Sequence, residues 1–176
     1  MDAGSAERQT LVLLVRPGQD VVGRVTGLLR SRQVLLETIS VSRADAAGNV
    51  QLTLVIGGDA DDAIRVSKQL DRLISVQHVE NIGRRPHILR ELALIKVAGV
   101  SDNRPRINEI CGEYWARVVD ESSGSLIIET IGEASDIDSL TRKLEPLGIL
   151  EVARQGAVAM GKGKRTLQEA IQDKPI

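Results

Sequence analysis

The sequence predicts an α+β fold in which one βαββαβ pattern is used twice, and three observations point to it. Short apolar runs alternate with segments of helical period, and the same order of six elements occurs a second time. A polar, basic, turn-prone stretch, GRRPH at 83–87, separates the two occurrences. The 176-residue chain has room for two small domains, and 42% hydrophobic against 27% charged residues excludes a disordered polymer.

Thr10 to Val15 (TLVLLV) is an unbroken apolar run, as expected of a strand covered on at least one face, and Pro17-Gly18 ends it. From Asp20 the period changes. Val21, Val22, Val25, Leu28 and Leu29 share one helical face, and Asp20 is placed to cap that helix. Leu35 to Val41 returns to strand chemistry, Asp45 to Asn49 (DAAGN) reads as a hairpin loop, and Val50 to Ile56 (VQLTLVI) pairs back. A second helix from Asp59 turns Ala63, Ile64, Ser67 and Leu70 inward, and Ser75 to Ile82 closes the first repeat.

The second repeat opens with the strand Leu89 to Val97 and the helix Asn103 to Glu113, whose Ile107, Ile110 and Cys111 share a face. Trp115 to Val119 and Ser125 to Ile131 form a hairpin across the turn Glu121 to Gly124. A helix over Asp136 to Leu144 ends at Pro146, and Gly148 to Met160 is the closing strand, with a bulge at Gly156. The expected boundaries are a first domain over 10–82, a linker over 83–87, a second domain over 88–161 and a flexible tail over 162–176. Each βαββαβ unit is the ferredoxin-like arrangement, a four-stranded antiparallel sheet with two helices on one face. Its other sheet face is left open, which favours packing between domains or between copies.

Composition narrows the function. With 23 basic and 24 acidic residues the net charge is −1, which gives no long-range attraction to nucleic acid or to an anionic membrane. RNA-binding domains of this element order stack bases on aromatic residues of the central strands; VQLTLVI and SLIIETI contain none. Residues 1–9 lack the apolar core of a signal peptide, and no apolar run approaches the ~20 residues that cross a bilayer, so a cytoplasmic location is expected. The single cysteine, Cys111, excludes an intrachain disulfide and reads as a small core residue. His78 and His87 have no metal-ligand spacing. Gly57-Gly58 lacks the Lys-Ser/Thr of a phosphate loop and reads as a tight turn, and GKGKR (161–165) is too short for a nucleic-acid arm. No catalytic constellation is present, so by elimination the chain binds a small ligand, a partner protein, or both.

These segments resemble the small regulatory subunit of acetohydroxyacid (acetolactate) synthase, from about Thr10 to Gly163. The most specific piece is RELALIKV (Arg90 to Val97), which is similar to the strand that opens the family's second domain. GRVTGLLRSR (Gly23 to Arg32), LETISV (Leu36 to Val41), KQLDRLISVQHV (Lys68 to Val79) and LEPLGILEVARQGAVAM (Leu144 to Met160) support it in order and spacing.

The resemblance implies an N-terminal ACT domain, a related C-terminal domain, and a homodimer formed through both. It implies a non-catalytic protein that activates a catalytic large subunit and conveys feedback by valine or a related branched-chain amino acid in isoleucine, valine and leucine biosynthesis. Thiamine diphosphate, Mg²⁺ and FAD would belong to the catalytic subunit, and no cofactor to this chain. Two other readings are a freestanding tandem ACT amino-acid sensor with a different partner and a small acyl-phosphate hydrolase. The hydrolase would require a phosphate-cradling loop with Arg and Asn, and none is recognisable at the first strand–helix turn.

The expected effector residues are Pro17, Gly18, Asp20, Val21, Val22 and Leu35. They depart from the family pattern, in which the turn resembles Asn-x-x-Gly-Ala/Val-Leu and the second strand opens Gly-x-Asn-Ile-Glu. Here Pro17 replaces the first Asn, Asp20 the Gly, and Leu35 the second Asn. Asp20 is expected to occupy the helix amides that a ligand carboxylate needs, and to repel that carboxylate. Leu35 offers no hydrogen bond, which leaves buried ligand groups unpaired at ~1–3 kcal/mol each. Valine feedback is therefore expected to be weakened or lost.

Overall fold

The computed structural model describes residues 7–18, 20–99, 103–122 and 124–172. It divides into two compact units, one of Met1–Ile88 with Ala157–Ile176 and one of Leu89–Gly156.

In unit 1 the order is β1 (Arg8–Val15), α1 (Val21–Ser31), β2 (Leu36–Arg43), β3 (Val50–Gly57), α2 (Ala60–Leu70) and β4 (Val76–Asn81). The antiparallel sheet runs β2-β3-β1-β4, so the two most apolar strands lie in the centre. Leu11, Leu13 and Val15 of β1 and Leu52, Leu54 and Ile56 of β3 form the sheet side of the core. Val25 and Leu29 of α1 and Ala63, Val66 and Leu70 of α2 close over them. Asp59 and Asp62 make a reciprocal capping box that fixes the start of α2.

Unit 2 repeats the plan. Strand β5 (His87–Ala98) leads into it, followed by α3 (Arg104–Glu113), β6 (Arg117–Ser122), β7 (Ser125–Gly132), α4 (Ala134–Leu144) and β8 (Ile149–Arg154), in the order β6-β7-β5-β8. Ala93, Ile95, Val97, Leu126 and Ile128 meet Ile107, Ile110, Ile137, Leu140 and Leu144 in an aliphatic core. Glu91 lies on the inward face of β5 at 7% exposure, and Arg154 holds its carboxylate at 2.5 Å, which is why a charge is tolerated there.

The first helix of both units ends in the same way. Val34 N–H donates to Leu29 O, and Ala116 N–H donates to Cys111 O, each reaching back five residues. This is the Schellman closure, and it puts the residue before the donor in the left-handed region. Gln33 (φ 56°) and Trp115 (φ 53°) occupy that position.

The end of the chain departs from expectation. The expected closing strand Gly148 to Met160 divides into β8 and a short β9 (Val158–Gly161). The segment from Ala157 onward groups with unit 1 instead of the second domain. Within the stretch expected to be a flexible tail, residues 167–172 form the helix α5 (Leu167–Gln172), while 173–176 lie outside the described residues. Thr166 and Glu169 start that helix with a reciprocal capping pair, at 2.8 and 3.2 Å. GRRPH is no free linker either: a 3-10 turn covers Ile82–Arg84, and β5 begins at His87.

The open sheet face expected in each unit is found in unit 2, where Leu94 and Ile131 are 37% and 57% exposed. In unit 1 the corresponding Val12, Leu14, Thr53 and Val55 are buried. The C-terminal segment lies on that side, where Gln51 Nε2 donates to Ala159 O at 3.3 Å.

Cys111 packs in the core of unit 2, and burial pushes its thiol pKa up. It should therefore be inert to a thiol reagent such as Ellman's in the native chain and react fully in denaturant. Rapid native reaction would contradict its placement.

Candidate functional site

The site builds from the β1–α1 loop. Strand β1 ends where Arg16 N–H bonds Ser75 O at 2.8 Å, and α1 begins at Val21. Beside its first turn lies a cavity of about 220 Å³, lined by Arg16, Gly18, Asp20, Val21, Val22 and Gly23 from the loop and helix. Val41, Val50 and Leu52 of the β2–β3 hairpin complete it, Val41 and Leu52 being cross-strand partners. The walls are thus mostly branched aliphatic, and two opposite charges, Arg16 and Asp20, stand on them.

Four of the six expected effector residues, Gly18, Asp20, Val21 and Val22, line this cavity. Pro17 does not, standing instead beside Gly48 of the hairpin. Leu35 is 61% exposed and lies six residues from Val41, roughly 20 Å along an extended strand, with its carbonyl accepting from Gly57 N–H at 2.9 Å. Within one chain it is not part of the site. Arg16, Gly23, Val41, Val50 and Leu52 were missed by sequence reasoning, although counting back from the hairpin loop pairs Val41 with Leu52.

Asp20 also behaves differently from a capping residue. Its backbone is left-handed, φ 64° and ψ 27°, and its side chain makes no capping hydrogen bond. A helix N-cap needs an extended backbone to aim its oxygen at the first-turn amides. Here the carboxylate folds over Gly23 instead, where any Cβ would overlap it. The first-turn amides of α1 thus have no side-chain cap, and the Asp20 carboxylate lies over the first turn at Gly23.

A second cavity in unit 1, of about 290 Å³, lies between the sheet and the C-terminal segment, with Leu14, Ile82, Ala159 and Leu167 among its walls. Arg85 borders it, clamped by both carboxylate oxygens of Glu80 at 2.7 and 3.0 Å. Among the described residues there is no cluster of three or more His, Cys, Asp or Glu side chains placed to hold a metal. His87 Nδ1 lies 2.9 Å from Arg85 O, a local backbone contact.

The chain is 37% identical over 168 residues to the acetolactate synthase small subunit of Bacillus subtilis (strain 168), covering 95% of each chain. The chain belongs to the acetolactate synthase small-subunit family. A family model described as the small subunit of acetolactate synthase matches residues 90–163, the stretch that opens with RELALIKV. The chloroplastic acetolactate synthase small subunit 2 of Arabidopsis thaliana is 33% identical over 159 residues, 90% of this chain and 33% of that protein. The crystal structure of the acetolactate synthase small subunit from Thermotoga maritima superposes with a TM-score of 0.80 at 25% identity, covering 90% of this chain and 99% of that one. The tandem ferredoxin-like, ACT-type fold is thus that of the small-subunit family. No helix among the described residues is long and apolar enough to cross a membrane.

Proposed function

We propose that this chain is a non-catalytic regulatory subunit that binds the catalytic large subunit of acetolactate synthase and raises its activity, in the cytoplasm, for branched-chain amino acid biosynthesis. The observation that carries this reading is the near end-to-end match, 95% of each chain, to a protein named as a small subunit. Thiamine diphosphate, Mg²⁺ and FAD are held by that partner. The working form is a homodimer, supported by the exposed Leu94 and Ile131 on the sheet face of unit 2. Leu35 reaches an effector cavity only through a second copy.

Valine feedback is weakened in this reading, for a reason that differs from helix capping. The first-turn amides of α1 have no side-chain cap, but a ligand carboxylate brought to them meets the Asp20 carboxylate. Like charges about 4 Å apart repel by about 1 kcal/mol in water and about 4 kcal/mol near a protein surface. The juxtaposition of Arg16 and Asp20 on one aliphatic cavity favours a second reading. In it a branched-chain amino acid binds the other way round, with its ammonium on Asp20 and its carboxylate on Arg16.

Adding the chain to the purified large subunit is expected to raise acetolactate formation. An unchanged rate at saturating chain would contradict the regulatory reading and favour a freestanding sensor. Isothermal titration with valine is expected to give no micromolar binding; micromolar binding would support the reversed orientation and overturn the weakened one.

A further inference from the structure

The buried residues of both cores include no aromatic ring, although Tyr114 packs against that of unit 2, and the chain's only tryptophan, Trp115, stands at 94% exposure. The fold does not ask for that side chain. Trp115 sits where the Schellman closure after α3 requires a left-handed residue, and the equivalent position after α1 holds Gln33. Glycine or asparagine takes this conformation most readily, and a bulky residue takes it against its own preference. The indole therefore adds neither core packing nor turn geometry.

The charges flanking it satisfy one another within the chain. Glu113 bonds Lys143, whose ammonium lies 5.2 Å from the Tyr114 ring, and Arg117 pairs with Glu129 at 2.7 Å. An exposed ring amid self-paired charges is the composition of an interface anchor, in which the aromatic side chain is buried and the rim is neutral. A two-fold contact between copies is better served by a broader surface than one indole, since a stable interface buries ~800 Å² per partner. The aliphatic sheet face with Leu94 and Ile131 is the broader surface of unit 2 for a second copy.

We infer that Trp115 is an anchor that seats in an apolar, neutrally rimmed pocket of the large subunit. This rests on the small-subunit reading. The test uses the full chain labelled with 5-fluorotryptophan, which gives a single ¹⁹F resonance, titrated with the unlabelled large subunit of the same organism. Binding of wild type, Trp115→Phe and Trp115→Gly is measured in parallel by sedimentation.

On binding, the resonance is expected to shift and broaden. Trp115→Gly should weaken association by about tenfold or more, and Trp115→Phe by less. Trp115→Gly should also melt no lower than wild type, since glycine suits the backbone there, so weaker binding would not be a folding defect. An unmoved resonance in a formed complex, with Trp115→Gly bound as tightly as wild type, would overturn the anchor and leave the subunit reading intact. No association by wild type would overturn both. A resonance that moves when the chain alone is concentrated, and not when the large subunit is added, would assign the indole to a second copy and overturn the proposal.

Discussion

Replacing Asp20 by Gly is expected to raise the affinity of the chain for valine by about tenfold and to leave the fold intact. The substitution removes the carboxylate that lies over the uncapped first turn of α1. At so exposed a site the relieved repulsion is taken at the low end, ~1.4 kcal/mol, which is a factor of about ten. Glycine also accepts the left-handed conformation at residue 20, which costs other residues roughly 1 kcal/mol, so the melting temperature should hold or rise. Calorimetric titration of wild type and variant measures the effect directly. A fall in valine affinity would instead identify Asp20 as the partner of the ligand ammonium, the reversed orientation that Arg16 permits.

Replacing Gly99 by Val is expected to destabilise unit 2 by about 2–3 kcal/mol. A Cβ at this position would lie 2.8–3.0 Å from backbone atoms of Gly124 and Ser125, where Gly99 N–H already bonds Gly124 O at 2.6 Å. Backbone, unlike the end of a flexible side chain, does not move aside cheaply, so β5 and the β6–β7 hairpin would be forced apart. For a domain of this size the loss corresponds to a fall of about 10–20 °C in melting temperature. Circular dichroism would record it, and an unchanged transition would mean that the hairpin is not held against Gly99 as described.

Most of the fold was legible because its periodicities are clean. The β1 run Thr10 to Val15 is apolar without interruption, and it proves to be a central strand whose inner and outer residues are all buried. The face read for α3 is the buried one, and of the face read for α1 Val21, Val25 and Leu29 are buried while Val22 is exposed. The C-terminal region was misread for identifiable reasons. The apolar character of LEVARQGAVAM continues across Gln155 to Ala157, so the sequence does not mark where the chain leaves one unit for the other. The Thr166-Leu-Gln-Glu169 capping signal for α5 was present but was hidden behind the basic GKGKR.

The site was harder to read than the fold. Gly18, Asp20, Val21 and Val22 are close in sequence and line one cavity, whereas Val41, Val50 and Leu52 reach it through hairpin register. Asp20 as an N-cap followed its residue type, but the left-handed backbone turned its carboxylate toward Gly23. Local propensity names the residue at such a position; the loop geometry decides where its charge points.

The most direct test of a regulatory subunit whose effector cavity is guarded by Asp20 is acetolactate formation by the purified large subunit across a valine titration. It is run with no addition, with the wild-type chain and with Asp20→Gly. Both forms are expected to stimulate the rate, with valine leaving the wild-type stimulation in place and reversing that of Asp20→Gly. Valine that reverses the wild-type stimulation and spares the variant would contradict the guarding role of Asp20, and a rate that neither form raises would contradict the regulatory role itself.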